Sequence, residues 1–267
     1  MRLTAKTRSG LAFEVAGSGP PLLLLHAGLM DRRMWDPQWE ALTGRFTAIR
    51  YDARGFGESA DPKAPWSLHA DALEVLDKAG YERAAVAGVS MGGAAALDLA
   101  LTAPERVAGL VLVNSTASDW EHTPEHLRLF EEINTAYETR GLDAANELEL
   151  RMWVDGPHRR PDDVDREVRA LVGTVNRVLL ERQEPFEEIE PLEPALSATV
   201  HMGELRPPAL VVTGELDQPS TLAGAWAIVA ATGAEHVDIP GTAHLPNLER
   251  PREFAAALLP FLERNAG

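Results

Sequence analysis

Three side chains far apart in this sequence have the types needed for nucleophilic acyl transfer: Ser90, Asp217 and His244. A serine hydroxyl is a poor nucleophile at neutral pH and needs a neighbouring base, itself oriented by a third group. Ser90 is the centre of Gly88-Val89-Ser90-Met91-Gly92, between the apolar run Ala84–Ala87 and an alanine-rich run from Gly93 to Ala103. A strand–turn–helix junction of this kind reads as a nucleophile elbow, whose strained turn holds the hydroxyl out at the top of a sheet. Glycine on both flanks lets chain segments pass where a β-carbon would collide.

The eight histidines must be sorted to find the base. His244 lies in Gly241-Thr242-Ala243-His244-Leu245-Pro246, just after the short strand His236–Ile239, and so faces the same sheet edge as Ser90. His69, His122, His126 and His158 lie in polar helical or loop settings and read as solvated, and His26, ending a buried strand, reads as a structural hydrogen-bonder. His201 and His236 have no reason to converge on the elbow. Asp217, in the turn after the strand beginning at Leu210, is the expected orienting acid; Asp119, after the preceding strand, is the alternative. Glu215 should alternate away. The chain order Ser…Asp…His distinguishes this arrangement from other serine-hydrolase orders. Acyl transfer also needs donors for the developing oxyanion. The N–H of Met91 is one; the loop His26-Ala27-Gly28-Leu29 supplies the other, from Gly28 or alternatively Leu29.

The elements that must position these groups alternate between short apolar runs and longer helical patterns, which predicts βαβ units and a mainly parallel sheet. Strands are expected at Leu11–Ala16, Leu22–Leu25, Phe46–Tyr51, the run into Ser90, Val107–Val113, Ala209–Val212 and His236–Ile239, with a helix over Ser67–Ala79. Amphipathic stretches around Trp226–Ala231 and Phe254–Leu262 should cover the sheet, with Pro260 kinking or ending the last. Residues 118–206 break the alternation with three helical patterns, Pro124–Thr139, Leu142–Trp153 and Asp162–Arg182. The reading is a core of residues 1–117 and 207–267 carrying a helical cap at 118–206, over the carboxyl edge where open α/β sheets place ligands. Trp153, before a Gly156-Pro157 turn, either walls the site or packs inside the cap. Leu29, Trp153 and Arg151 are the candidates for substrate contact.

Composition removes other functions. The chain has 267 residues, no cysteine and a net charge of −16. Thiolate nucleophiles, disulfides and Cys-ligated zinc are excluded, and a basic patch for nucleic acid or anionic membrane is not expected. The N-terminal residues lack a signal-peptide apolar core, and no apolar run approaches the ~18 residues of a membrane span, so the cytoplasm is the default location. His122-Thr123-Pro124-Glu125-His126 has zinc-helix spacing but a proline between the histidines and a misplaced glutamate. Asn114-Ser115-Thr116 is a formal sequon that closes a buried strand. No metal and no cofactor is expected.

The chain resembles the α/β-hydrolase superfamily over essentially its whole length. The elbow carries the resemblance together with His26–Leu29, Asp31, Met34-Trp35-Asp36-Pro37-Gln38, Tyr51-Asp52-Ala53-Arg54-Gly55-Phe56-Gly57-Glu58-Ser59, Gly214–Asp217 and Ala243–Glu249. Several of these blocks are most similar to the 3-oxoadipate enol-lactonase-like branch. Ala27 departs from the glycine or small polar residue usual there. The resemblance implies that Asp52 and Arg54 brace the loop beside the oxyanion hole, and Ser90 in place of aspartate argues against epoxide hydrolases and dehalogenases. It implies an α/β-hydrolase fold and cleavage of a small-molecule ester or lactone through an acyl-enzyme. C–C bond hydrolysis or a lyase reaction with the same triad remains an alternative, as does a non-catalytic ligand receptor. An anionic lactone would require a cation, for which Arg151 is the candidate, since an unpaired buried carboxylate is costly.

Overall fold

A computed structural model describes residues 2–183, 189, 191–192 and 194–267. Strands β1 (Arg2–Lys6), β2 (Ala12–Gly17), β3 (Pro21–Leu25), β4 (Thr47–Tyr51), β5 (Ala84–Val89), β6 (Val107–Val113), β7 (Ala209–Gly214) and β8 (Glu235–Ile239) form one sheet, ordered β1-β2-β4-β3-β5-β6-β7-β8. The β1–β2 and β2–β4 pairs are antiparallel and the rest parallel. Strands β5, β6 and β7 are buried at every position, as expected where helices cover both faces of a parallel sheet. The α/β architecture expected from the alternation is the one observed. β1 was not among the expected strands: Arg-Leu-Thr-Ala-Lys is polar and short, and it pairs only with β2 at the sheet's margin.

Helices α1 (Asp36–Thr43), α2 (Leu68–Ala79) and α3 (Met91–Thr102) belong to the first half. Ser67 caps α2 by accepting the Ala70 N–H, and Gly80 in the left-handed region ends it. Between β6 and β7 lie α4 (Pro124–Arg140), α5 (Leu142–Glu149), α6 (Arg166–Gln183) and α7 (Ala198–His201). The pattern read as one helix over Leu142–Trp153 is α5 followed by a wider π-helical turn, Leu150–Asp155. Helices α8 (Pro219–Thr232), α9 (Pro246–Glu249) and α10 (Pro251–Asn265) complete the chain. α10 does not end at Pro260; it runs to Asn265, and Phe261 and Leu262 beyond the proline are buried in the core. Their burial outweighs one lost backbone hydrogen bond. Among the described residues, no helix is long and apolar enough to cross a membrane.

The sequence order reverses at β3 and β5: β4 lies on one side of this pair and β6 on the other. The crevice at their carboxyl ends is where such sheets bind ligands. Ser90 follows β5, and His26–Leu29 follows β3.

Candidate active site

Ser90 has φ 52° and ψ −118°, a left-handed conformation that an L residue adopts only when its surroundings enforce it. Those surroundings are tight. Its N–H donates to Val113 O (2.9 Å), and its carbonyl accepts from Ala94 N–H (2.9 Å) and Ser115 Oγ (3.0 Å). A β-carbon at Gly92 would stand 2.6 Å from His26 O, one at Gly93 2.6 Å from the Ser115 β-carbon, and one at Gly88 would strike the Gly92 carbonyl. The glycines therefore let β5, α3 and the loop after β3 close around the serine.

The His244 imidazole is buried, and its Nδ1 lies 2.8 Å from Asp217 Oδ2. The other carboxylate oxygen accepts the Gln218 N–H (2.7 Å). With Nδ1–H donating to a carboxylate, Nε2 is left as the lone-pair nitrogen of the neutral ring. Ser90 and His244 line one cavity of about 730 Å³, with Trp153, Phe130 and Met91 also on its wall. Asp119, the alternative acid, accepts from Thr199 N–H (2.8 Å), Thr199 Oγ1 (2.7 Å) and Ser197 Oγ, at the start of α7. Glu215 accepts the Gly241 N–H and takes no part in the His244 pair.

The His244 loop is fixed from three sides. Glu249 accepts the Ala243 N–H (2.8 Å) and pairs with Arg159 (2.5 Å). Asn114, with φ 43° and only 1% exposed, donates Nδ2–H to Ala243 O (2.8 Å) and accepts the Gly214 N–H at Oδ1 (2.8 Å). This one amide joins the ends of β6 and β7 to the histidine loop. It was read from sequence only as part of a sequon; the polar residue ending an all-apolar strand was the available signal. The third contact is the His244 N–H donating to Trp153 O (3.2 Å).

Other expected residues fall as follows. Gly28 faces Met91 across the elbow: a β-carbon on it would be 3.8 Å from Met91 Sδ. Leu29 is buried in the hydrophobic core. Trp153 stands over His244 with ring centroids 4.3 Å apart, so it belongs to the cavity wall as well as packing against other insertion residues. Arg151 is not brought to the site. Its guanidinium pairs with Glu147 one helical turn earlier, and its side chain is 60% exposed. Two residues apart on a helix point to different faces, so proximity to Trp153 in sequence was a poor guide.

His122 and His126 also differ from their solvated reading. Their rings stack at 4.3 Å, His126 packs edge-on against Phe130 and Trp153, and His126 is 3% exposed with Nε2 unpartnered. Burial, with His122 and His244 nearby, lowers the His126 pKa to about 4. His26 is the structural hydrogen-bonder expected: Nε2 accepts the Ala53 N–H (2.9 Å) and Nδ1 donates to Ala27 O (2.8 Å). Asp52 accepts the N–H groups of Arg32 (2.9 Å) and Glu58 (2.8 Å), bracing the loop after β4, while Arg54 ties that loop to Asp71 on α2.

Comparison with known proteins shows the family. Residues 20–251 match the family model described as alpha/beta hydrolase fold, and the chain belongs to that family. It is 42% identical over 110 residues to RutD of Azorhizobium caulinodans, named as a carbamate hydrolase; the match covers 40% of this chain and 42% of that protein. The chain thus spans less than half the length of that relative. It is 25% identical to 3-oxoadipate enol-lactonase 1 of Acinetobacter baylyi over 255 residues, 92% of this chain and 91% of the relative. A thermophilic esterase from Thermogutta terrifontis has a similar structure, with TM-score 0.80 and 25% identity over 99% of this chain and 98% of the other.

Proposed function

We propose that this chain is a cofactor-free serine hydrolase of carboxylic esters or lactones, working through an acyl-enzyme, with residues 118–206 as a cap over a core of 1–117 and 207–267. The observation that carries the reading is the 2.8 Å Asp217–His244 pair sharing one cavity with a serine held at φ 52°. Ser90 Oγ attacks the substrate carbonyl carbon while His244 Nε2 takes its proton. Asp217 fixes the imidazole tautomer and stabilises the cation that forms. The N–H groups of Met91 and Gly28 hold the tetrahedral oxyanion. Collapse expels the alkoxide, which leaves with the proton from His244. Water then repeats the sequence on the acyl-enzyme, returning the serine and releasing the acid.

A carbamate presents the same carbonyl to the same serine, and the RutD likeness favours including carbamates in a substrate panel. The test is Ser90→Ala, which should keep the folded thermal transition and lower ester kcat on the order of 10⁴–10⁶-fold, because triad members act as a unit. A fluorophosphonate should label the wild type and not the variant. Turnover above a tenth of wild type would remove Ser90 from its role, and faster cleavage of carbamates than of matched esters would decide for the second chemistry.

A further inference from the structure

The cavity that holds Ser90 and His244 has an unbalanced charge. Its ionisable lining consists of Asp98, Asp119, His69, His122 and His244, with no lysine or arginine among the described residues. Burial holds the His69 and His122 imidazoles below their ordinary pKa, so both are neutral at pH 7. The cavity is therefore anionic.

Asp98 is the group this matters for. It lies on α3 eight residues after Ser90, on the same helix face as Ala94 and Ala95, which also line the cavity. That spacing is about 12 Å along the helix axis. Asp98 is 6% exposed, and Oδ1 accepts the Ser118 hydroxyl (2.9 Å). Oδ2 has no partner among the described residues, and the carboxylate enters no ion pair there. Burial raises its pKa to about 6 against the Ser118 hydrogen bond, with Asp119 adding to the rise, so at neutral pH it is mainly ionised. A buried carboxylate with one free oxygen in a ligand cavity lacks a countercharge, and a cationic ligand would supply it.

We propose that Asp98 is a specificity-determining residue whose free oxygen receives a protonated amine of the substrate, so that the preferred ester carries an ammonium group about 12 Å from its reacting carbonyl. This rests on the serine-hydrolase reading for its chemistry but not for its binding preference. It replaces the anionic lactone, which would place a third negative charge beside Asp98 and Asp119 with Arg151 turned away.

The experiment uses nitrophenyl esters of isosteric ten-carbon acids ending in ammonium, hydroxyl or carboxylate, whose extended chains span about 12 Å. For the wild type, kcat/KM should fall in that order, with the ammonium ester at least tenfold above the carboxylate ester. Asp98→Asn should compress this ratio to within about threefold, equivalent to losing one charge-assisted contact. Binding of hexylamine, hexanol and hexanoate to Ser90→Ala, followed by calorimetry, gives the same order without turnover and without altering Asp98. An ammonium ligand no better than its hydroxyl counterpart, or a carboxylate preferred, overturns the proposal. A wild-type preference that survives in folded Asp98→Asn removes Asp98 from it. Binding in the expected order by a protein that cleaves no ester sinks the hydrolase reading and keeps this one; the reverse outcome does the opposite.

Discussion

The carboxyl end of the sheet and the helical insertion between β6 and β7 form two sides of one cavity and are held by different mixtures of forces. Ser90, Asn114 and Asp217 follow β5, β6 and β7, strands paired by backbone ladders and buried throughout. Apolar burial of about 25 cal/mol per Å² and continuous ladders make such positions stiff. The insertion adds a set of side-chain polar contacts to its apolar packing. Arg169 bridges Asp155 (2.9 Å) and Glu147 (3.0 Å), Asn176 bonds Asn146 (2.9 Å), and Arg159 joins the π-helical turn to Glu249 of the core. Leu150, Val154, Val164, Val172, Val175 and Leu179 join its helices to the main core, and a small second cluster gathers around Ile133, Ala145 and Met152. The difference teaches a division of labour in which the proposed chemistry stands on the rigid part. Part of the cavity wall, including Phe130 and Trp153, stands on the insertion.

The largest test of that division is the acid on the sheet side. Asp217→Asn should reduce kcat by about 10³–10⁴-fold, because the amide favours the wrong imidazole tautomer. Asp119→Asn, on the insertion side, should cost less than tenfold. Kinetics on a small activated ester would reveal a reversal, which would move the acid to Asp119.

Next is a stability contrast. Asp155 is 1% exposed and its partner Arg169 is largely covered, so Asp155→Ala leaves the guanidinium with only the more exposed Glu147 as counterion. The expected loss is about 3 kcal/mol in denaturant unfolding. It should be accompanied by early protease cleavage inside residues 118–206 and not in the sheet. Cleavage spread evenly over the chain would show that the two regions unfold as one.

Smaller effects separate the insertion's own residues. Trp153→Ala should raise KM about tenfold for esters with bulky acyl groups while Ser90 still reacts with fluorophosphonate, since the ring that covers His244 is lost but its backbone contact is not. Arg151→Ala should change kcat/KM by less than twofold for charged and neutral esters alike. A selective loss with carboxylate-bearing esters would restore Arg151 as a substrate ligand.

The smallest effect has a pH sign. The Asp98 carboxyl sits at about 6 when folded against an ordinary value of 3.8, so its ionisation penalises the folded state as pH rises through that window. Its favourable linkage is complete below about 4 and lost above about 6. Asp98→Asn should therefore raise Tm by a few degrees at pH 7 and by nothing at pH 4. Equal shifts at both pH values would show that ionisation of Asp98 carries no cost.

Much of the sheet side was legible because its signals are local. An all-apolar run of four leucines directly after a Gly-Ser-Gly-Pro-Pro turn reads as a short strand covered on both faces, and a serine between glycines at a strand–helix junction states its own backbone requirement. His244 was separable from seven other histidines by its place after a short strand. The order Ser90, Asp217, His244 then followed from chain position alone. What the amino-acid sequence could not determine depends on contacts between residues far apart. The Asn114 clamp joins positions 100 and 129 residues distant, and no periodicity predicts such a bond. His126 lies in a charged, polar helix and reads as solvated until Phe130 and Trp153 are packed around it. Arg151 was drawn toward the site by its nearness to Trp153, but helix geometry gave its charge to Glu147 and solvent. Asp98, within an alanine-rich helix, reaches the wall of the cavity only through folding, and the described residues that line that cavity include no lysine or arginine. Local conformational demands are written in neighbouring residues; burial and electrostatic environment are properties of the assembled surfaces.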